Sequence, residues 1–245
     1  MAVKRSQSAS RVLSVLERIA RHQPVGVSEL ARLIDEDKSA VQRAIMTLAD
    51  EGWIQPAAGG TTRWELTGHI HAVARLAHGG NDLRRRARAA LELLRDESGE
   101  TVLLSVPDPR RFVVIEVLES RQLLRTAPMV GMTAPARDSA TGRALLPFMP
   151  PDRQVELLGE APGSRLLEDY AATRVRGYSV NHGDIAAGST NIGAPVFEID
   201  GKPIAAVVVS GPSERLSPSE HARIGALVMR TAKGLSRGAP PEPLA

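Results

Sequence analysis

The chain has no cysteine. That removes disulfides, thiolate metal ligands and cysteine nucleophiles together, leaves only histidine and carboxylate for any metal site, and agrees with a reducing compartment. Aromatic residues are scarce, at 3%. Long apolar runs are missing too: the longest, at residues 204–209, is far too short to span a bilayer. The N-terminus is interrupted by Arg11, Glu17 and Arg18 and builds no signal-peptide core, so the expectation is a cytoplasmic protein with no membrane partner. A strong excess of one charge is also lacking. The formal net charge is +3 and the isoelectric point about 9.7, so charge alone does not identify nucleic acid as a partner. What is present is 245 residues, 42% hydrophobic and 24% charged, the composition of a folded chain with room for two domains.

The first third reads as helices. Val12, Leu13, Val15, Leu16, Ile19 and Ala20 recur at helical spacing over residues 8–20, with Ser8 or Ser10 as the cap. After a break at Gln23-Pro24-Val25-Gly26, Ser28 is placed to cap a short helix carrying Leu30, Ala31, Leu33 and Ile34. A polar turn at Asp35, Glu36 and Asp37 leads into a third helix over residues 39–51, with Gly52 as its stop. On that helix Val41, Ala44, Ile45 and Leu48 share one side, and Ser39, Gln42, Arg43 and Met46 share the other. A hydroxyl, an amide and a guanidinium facing outward can hydrogen-bond base edges in a major groove, although a solvated helix face has the same pattern. Short strands at 53–55 and 63–66, joined through Pro56-Ala57-Ala58-Gly59-Gly60, stand where a winged helix carries its wing. Three helices followed by such a hairpin predict a winged helix-turn-helix, a fold that binds duplex DNA and in some proteins other proteins or RNA.

The run Ala9-Ser10-Arg11-Val12-Leu13 with Ser14-Val15-Leu16-Glu17 carries a family resemblance. So do Val27-Ser28-Glu29-Leu30-Ala31, Lys38-Ser39-Ala40-Val41-Gln42-Arg43, Thr47-Leu48-Ala49-Asp50-Glu51-Gly52 and Trp64-Glu65-Leu66. Further along are Gly131 with Pro135, Ser139-Ala140-Thr141-Gly142-Arg143, Arg176-Gly177-Tyr178, Asp184, Gly188, Ala194-Pro195-Val196-Phe197 and Ser210-Gly211-Pro212. In order and spacing these resemble the IclR family of transcription regulators over nearly the whole chain. The resemblance implies a regulator, not an enzyme, that needs no cofactor, binds double-stranded operator DNA, responds to a small-molecule effector and assembles as a homodimer or a dimer of dimers. The DNA-contacting set expected from the helices and wing is Ser10, Arg11, Ser28, Lys38, Ser39, Gln42, Arg43 and Arg63, the last near phosphate or the minor groove.

A helix at residues 69–78, carrying Ile70, Val73, Ala74 and Ala77, reads as a linker, ended by Gly79-Gly80 before Asn81-Asp82 cap the next helix. His69, His71 and His78 lie there at spacings that do not converge on a metal. The run Arg84-Arg85-Arg86-Ala87-Arg88 sits on a helix whose apolar side is Leu83, Ala87, Leu91 and Leu94, so the arginines read as a solvated face.

Strands are expected next at 101–106, 112–118 and 122–126, then helices at 140–148, 152–158 and 166–176, then strands at 178–181, 191–197 and 204–210. Asp200-Gly201 signals a hairpin, and Ser217-Pro218-Ser219-Glu220 reads as a capping box opening a last helix that runs to Leu235. The fold class expected is therefore α/β overall: an all-α winged helix-turn-helix domain followed by an α+β domain with an antiparallel sheet, GAF-like by resemblance. The boundaries are residues 1–67 for the first domain, 68–80 for the linker helix, 81–236 for the effector domain and 237–245 for a tail.

The resemblance maps an effector pocket onto Leu123, Thr126, Ala134, Arg137, Ala140, Thr141, Asn181, Ser189 and Asn191. The helix start at Ala140-Thr141 is suited to an anion, and a carboxylate effector is expected. The chain departs from the common family pattern with Arg137-Asp138 in the central loop and Asn191 where small or sulfur-bearing residues often sit, which weakens transfer of any particular ligand. Ser139, His182 and Asp184 are the residue types of an acyl-transfer triad, but no nucleophile elbow accompanies them.

Overall fold

The computed structural model describes residues 6–59, 62–77 and 83–240. The chain divides into two compact units, Met1–Asp82 and Leu83–Ala245.

In the first unit, α1 (Gln7–His22), α2 (Val27–Ile34) and α3 (Lys38–Asp50) follow the apolar periodicity. Their inward residues, among them Val15, Ile19, Leu30, Val41, Ile45 and Leu48, form one core with Ile54 and Trp64. The caps differ from the sequence reading. Ser6, not Ser8 or Ser10, caps α1 by accepting from the Ala9 amide at 3.4 Å. Gly26 occupies the N-cap of α2 with no side-chain bond, so Ser28 lies inside the helix. Asp35, at φ 53°, ends α2 in the left-handed region, which tightens the turn. Asp37 then caps α3, accepting from the amides of Ser39 at 2.9 Å and Ala40 at 3.2 Å. A sheet of order β1-β3-β2 follows, with β1 (Val25–Gly26), β2 (Ile54–Pro56) and β3 (Arg63–Leu66). Strand β1, two residues long and paired through Val25 with Trp64, was read from sequence only as a break. Helix α4 (His69–Ala77) begins beside Trp53, whose ring meets His69 edge-on at 4.5 Å. His78 and the Asn81-Asp82 cap lie outside the described residues.

The second unit is built on a six-stranded antiparallel sheet of order β6-β5-β4-β9-β8-β7. Its strands are β4 (Thr101–Asp108), β5 (Arg111–Leu118), β6 (Thr133–Ala134), β7 (Ser179–His182), β8 (Ser189–Phe197) and β9 (Pro203–Pro212). Side chains alternate across the strands, so each face needs its own cover. On one face α5 (Leu83–Ser98) and α9 (His221–Leu235) pack Leu91, Leu94, Ile224 and Val228 against Val102, Leu104, Ile192, Val207 and Val209. On the other, α6 (Ala140–Leu145), a 3-10 turn (Leu146–Phe148), α7 (Pro151–Leu158) and α8 (Ser164–Arg176) pack Leu145, Leu146 and Tyr170 against Leu103, Phe112, Val114 and Val208. A bulge at Leu104/Ser105 shifts the pairing of β4 with β5 by one residue. Val114 and Val117, three positions apart, consequently face the same side.

Three local expectations are corrected. Residues 122–126 form no strand. Side-chain bonds replace a ladder there: Thr126 Oγ1 donates to the Ser210 carbonyl at 3.0 Å, and Arg215 donates to the Leu124 carbonyl at 2.9 Å while pairing with buried Glu100. The capping box at Ser217 is absent too. Ser217 Oγ meets Ser219 Oγ at 2.9 Å, the Glu220 carboxylate turns to Arg223, and a 3-10 turn precedes α9. The arginine run is only partly solvated, because Arg84 and Arg88 reach Glu116, which is 4% exposed, at 2.6 and 3.4 Å.

Gly142 is held by close approach. A Cβ there would lie 1.9 Å from the Ala136 carbonyl oxygen. Gly142→Ala is expected to cost about 1–3 kcal/mol in a denaturant titration, through displacement of α6; an unchanged midpoint would show that the loop yields freely. The Asp37 cap gives a pH signature. Hydrogen bonds from the Ser39 hydroxyl first, then from the amides of Ala40 and Ser39, hold the Asp37 carboxyl below the ordinary value of 3.8. The stability that this supplies is full above 3.8 and is lost as pH falls through the lowered folded-state value. Wild type should therefore exceed Asp37→Asn at neutral pH, with the gap in urea midpoint closing under acid; a gap independent of pH would contradict it.

Candidate functional site

The outward side of α3 is set by its inward side. Ala40, Val41, Ala44, Ile45 and Leu48 are buried, which leaves Lys38, Ser39, Gln42, Arg43, Met46 and Thr47 exposed. Asp37 orders the first turn, and Ser39 links that cap to Arg43, whose Nη1 donates to Ser39 Oγ at 3.4 Å. Among the described residues the side chains of Lys38 and Gln42 make no pair, so the face presents an ammonium, an amide and a guanidinium around a fixed hydroxyl. This is the donor and acceptor set that base edges and phosphates recognise.

The remaining residues expected at DNA divide into two groups. Ser28 is exposed and Ser10 half-buried. Arg11 and Arg63 are already engaged inside the unit. Arg11 pairs with Glu36 at 2.9 Å. Arg63 donates to the Pro24 carbonyl at 2.8 Å and to Glu29 at 3.1 Å, which fastens β3 to the start of α2. Arg63, expected near phosphate or the minor groove, here turns its guanidinium to a carbonyl and a carboxylate while staying partly exposed. Gly60 and Thr61 lie outside the described residues.

In the second unit a cavity of about 310 Å³ lies between the sheet and α6. Its floor is Leu103, Ser105, Val114, Val208, Ser210 and Asn191. Its walls come from the loop before β6, through Thr126, Pro128, Met132 and Ala134, from the start of α6 at Ser139, Ala140 and Thr141, and from Ile185, Ala186 and Ser189 beside β8. No charged side chain lines it. Of the residues expected in a pocket, Thr126, Ala134, Ala140, Thr141, Ser189 and Asn191 meet here. Leu123, Arg137 and Asn181 do not. Leu123 is fully exposed because its segment is a loop and not an inward-facing strand. Arg137 is turned outward onto Glu160. Asn181, fully buried, stands behind the wall: it accepts from Asn191 Nδ2 at 3.4 Å and donates to Asp184 at 2.8 Å and to the Asp138 carbonyl.

The start of α6 is shaped by its cap. Ser139 Oγ accepts from the Gly142 amide at 3.0 Å and donates to the Pro135 carbonyl at 2.5 Å. Among the described residues the amides of Ala140 and Thr141 carry no such bond. Arg143 fastens the helix to β7 and the following loop, donating to the Val180 carbonyl at 3.2 Å and pairing with Asp184 at 2.9 Å. Behind α6, burial pushes the Tyr170 phenol up to about 12, so it stays neutral. The three residues of the triad reading do not converge. Ser139 is the cap, His182 Nδ1 meets Thr190 Oγ1 at 2.9 Å, and Asp184 serves Arg143 and Asn181.

Sequence reasoning missed Ser105. It is the polar residue within an otherwise apolar stretch of β4, at a position whose neighbours Leu103 and Val208 face inward, and that interruption was its available signal. Its hydroxyl is buried and has no partner among the described residues. Met132, Ile185 and Ala186 come from loops, where periodicity says nothing. Among the described residues no cluster of three or more histidines or carboxylates could hold a metal, and no helix is long and apolar enough to cross a membrane.

Comparison with known proteins supports the division. The IclR helix-turn-helix domain matches residues 8–57, and the bacterial transcriptional regulator IclR C-terminal domain matches residues 76–237. The chain is 28% identical to the transcriptional repressor IclR of Escherichia coli K12, over 93% of this chain and 88% of that protein. It is also 28% identical to the HTH-type transcriptional regulator BhcR of Paracoccus denitrificans, over 96% and 88%. Among solved structures, an IclR regulator from Silicibacter sp. TM1040 superposes with a TM-score of 0.80 at 20% identity, over 96% of this chain and 98% of that one, and so supports the fold. HmgR of Pseudomonas aeruginosa gives 0.59 at 26% identity, over 94% and 97%. Helix-turn-helix, curled antiparallel sheet and family matches agree, and the relatives are regulators of transcription, not enzymes. The chain belongs to the IclR family of DNA-binding transcriptional regulators.

Proposed function

We propose that this regulator recognises an approximately palindromic operator with a pair of first domains, residues 1–67, and that a small carboxylate bound in the second domain, residues 81–236, changes how that pair engages DNA in the cytoplasm. The observation that carries the DNA reading is the exposed face of α3, where Lys38, Ser39, Gln42 and Arg43 project from a helix fixed by its core and by Asp37. With one such helix per subunit, a homodimer or a dimer of dimers sets two of them in successive major grooves. The segment at residues 68–80, which contains α4, links the two activities.

The carboxylate reading rests on the polar end of the cavity, where the Asn191 amide, the Thr141 hydroxyl and the open amides of Ala140 and Thr141 are all donors. An effector acts by binding one arrangement of the paired first domains more tightly than another, and its differential affinity sets the size of the response.

Arg43→Ala is expected to weaken specific operator binding by about 1–3 kcal/mol, read by fluorescence anisotropy at fixed salt; unchanged affinity would remove Arg43 from the reading face. Asn191→Leu should abolish the effector response while DNA affinity without effector stays at the wild-type level. A variant that still responds would place the effector elsewhere.

A further inference from the structure

We infer that the ligand of this cavity carries at most one negative charge on an apolar body, with a hydrogen-bonding group at its far end that meets Ser105. This deepens the effector reading above and rests on it. The first reason is charge. Arg137 is paired outward with Glu160 and Arg143 with Asp184, and the cavity lining itself holds no charged side chain. One carboxylate can be met by neutral donors, whereas a second drawn in against the apolar walls would find no cation to meet it.

The second reason is shape. Between its polar groups the cavity is walled by Leu103, Val114, Val208 and Met132. Its volume of about 310 Å³ lies at the small end of the roughly 300–1,000 Å³ typical of small-molecule pockets. A small hydrophilic acid would leave most of that apolar wall against water.

The third reason is Ser105. Ser105 lies at the floor, its hydroxyl is buried and without a partner among the described residues, and an unpaired buried hydroxyl is costly. Strand register fixes where it lies. Asn191 is opposite Ser210 on β9, and Ser105 is opposite Ala206 on the same strand, four residues away. Asn191 and Ser105 also flank β9 on opposite sides, so about 13 Å along the strands and about 10 Å across them separate the two positions, roughly 16 Å on the diagonal. A ligand that meets both ends must be elongated, as a ring acid with a hydroxyl opposite its carboxylate arm is.

The test is calorimetric titration of the full chain with 4-hydroxyphenylacetate, phenylacetate and succinate, for wild type, Ser105→Ala and Asn191→Leu. Both ring acids should bind wild type, the hydroxylated one about fivefold more tightly, the worth of one neutral hydrogen bond. Succinate should not bind. Ser105→Ala should make the two ring acids equal and raise the thermal midpoint of the ligand-free protein, because the unpaired hydroxyl is gone. Equal binding by wild type, a preference that survives Ser105→Ala, tighter binding of succinate, or no binding of either ring acid would each overturn the inference. Failure of the effector reading looks different: any probe still bound by Asn191→Leu as by wild type would lie outside this cavity.

Discussion

The close seating of α6 on the sheet is the contact on which the second unit's chemistry depends. A glycine permits it: at Gly193 on β8 a side chain would crowd the Ala140 carbonyl and Val208, while Gly142 lets the Ala136 carbonyl of the preceding loop close on the helix. Ser179 reinforces the approach by donating to the Ala140 carbonyl at 2.7 Å. With the helix so low, its first residues become the wall of a cavity, and the sheet beneath becomes the floor. The opposite face, where α5 and α9 supply large aliphatic side chains throughout, closes into solid core.

From that cavity a chain of polar contacts leads outward. Asn191 touches Asn181, Asn181 touches Asp184, and Asp184 holds Arg143, which is anchored on α6. The same loop supplies Ile185 and Ala186 to the cavity wall, and Ser189 holds it by donating to the Ala186 carbonyl at 2.7 Å. A ligand that rearranges Asn191 therefore has a short physical route to α6 and to the loop.

Much of the architecture was readable in the residues because it follows from period and punctuation. The apolar faces of α1 and α3 lie where a repeat of 3.6 residues puts them, and the Asp200-Gly201 turn joins β8 to β9. Features that depend on distant partners were not readable. Residues 122–126 alternate like a strand, but they are held as a loop by Arg215 and Ser210, about ninety positions away in the chain. The arginines Arg11, Arg63 and Arg137 looked free for ligands, yet Glu36, Glu29 and Glu160 had already claimed them. Ser105 was passed over because a single serine in a strand carries meaning only once the cavity above it is known.

The account stands most directly on sequence-specific DNA binding by the whole chain. Purified protein should be titrated against labelled fragments from the DNA flanking its own gene, with excess nonspecific competitor and defined salt. The account predicts a discrete shifted complex on at least one fragment that survives competitor and weakens steeply as salt rises. Binding that competitor removes from every fragment, at every salt concentration and with or without added carboxylates, would contradict it.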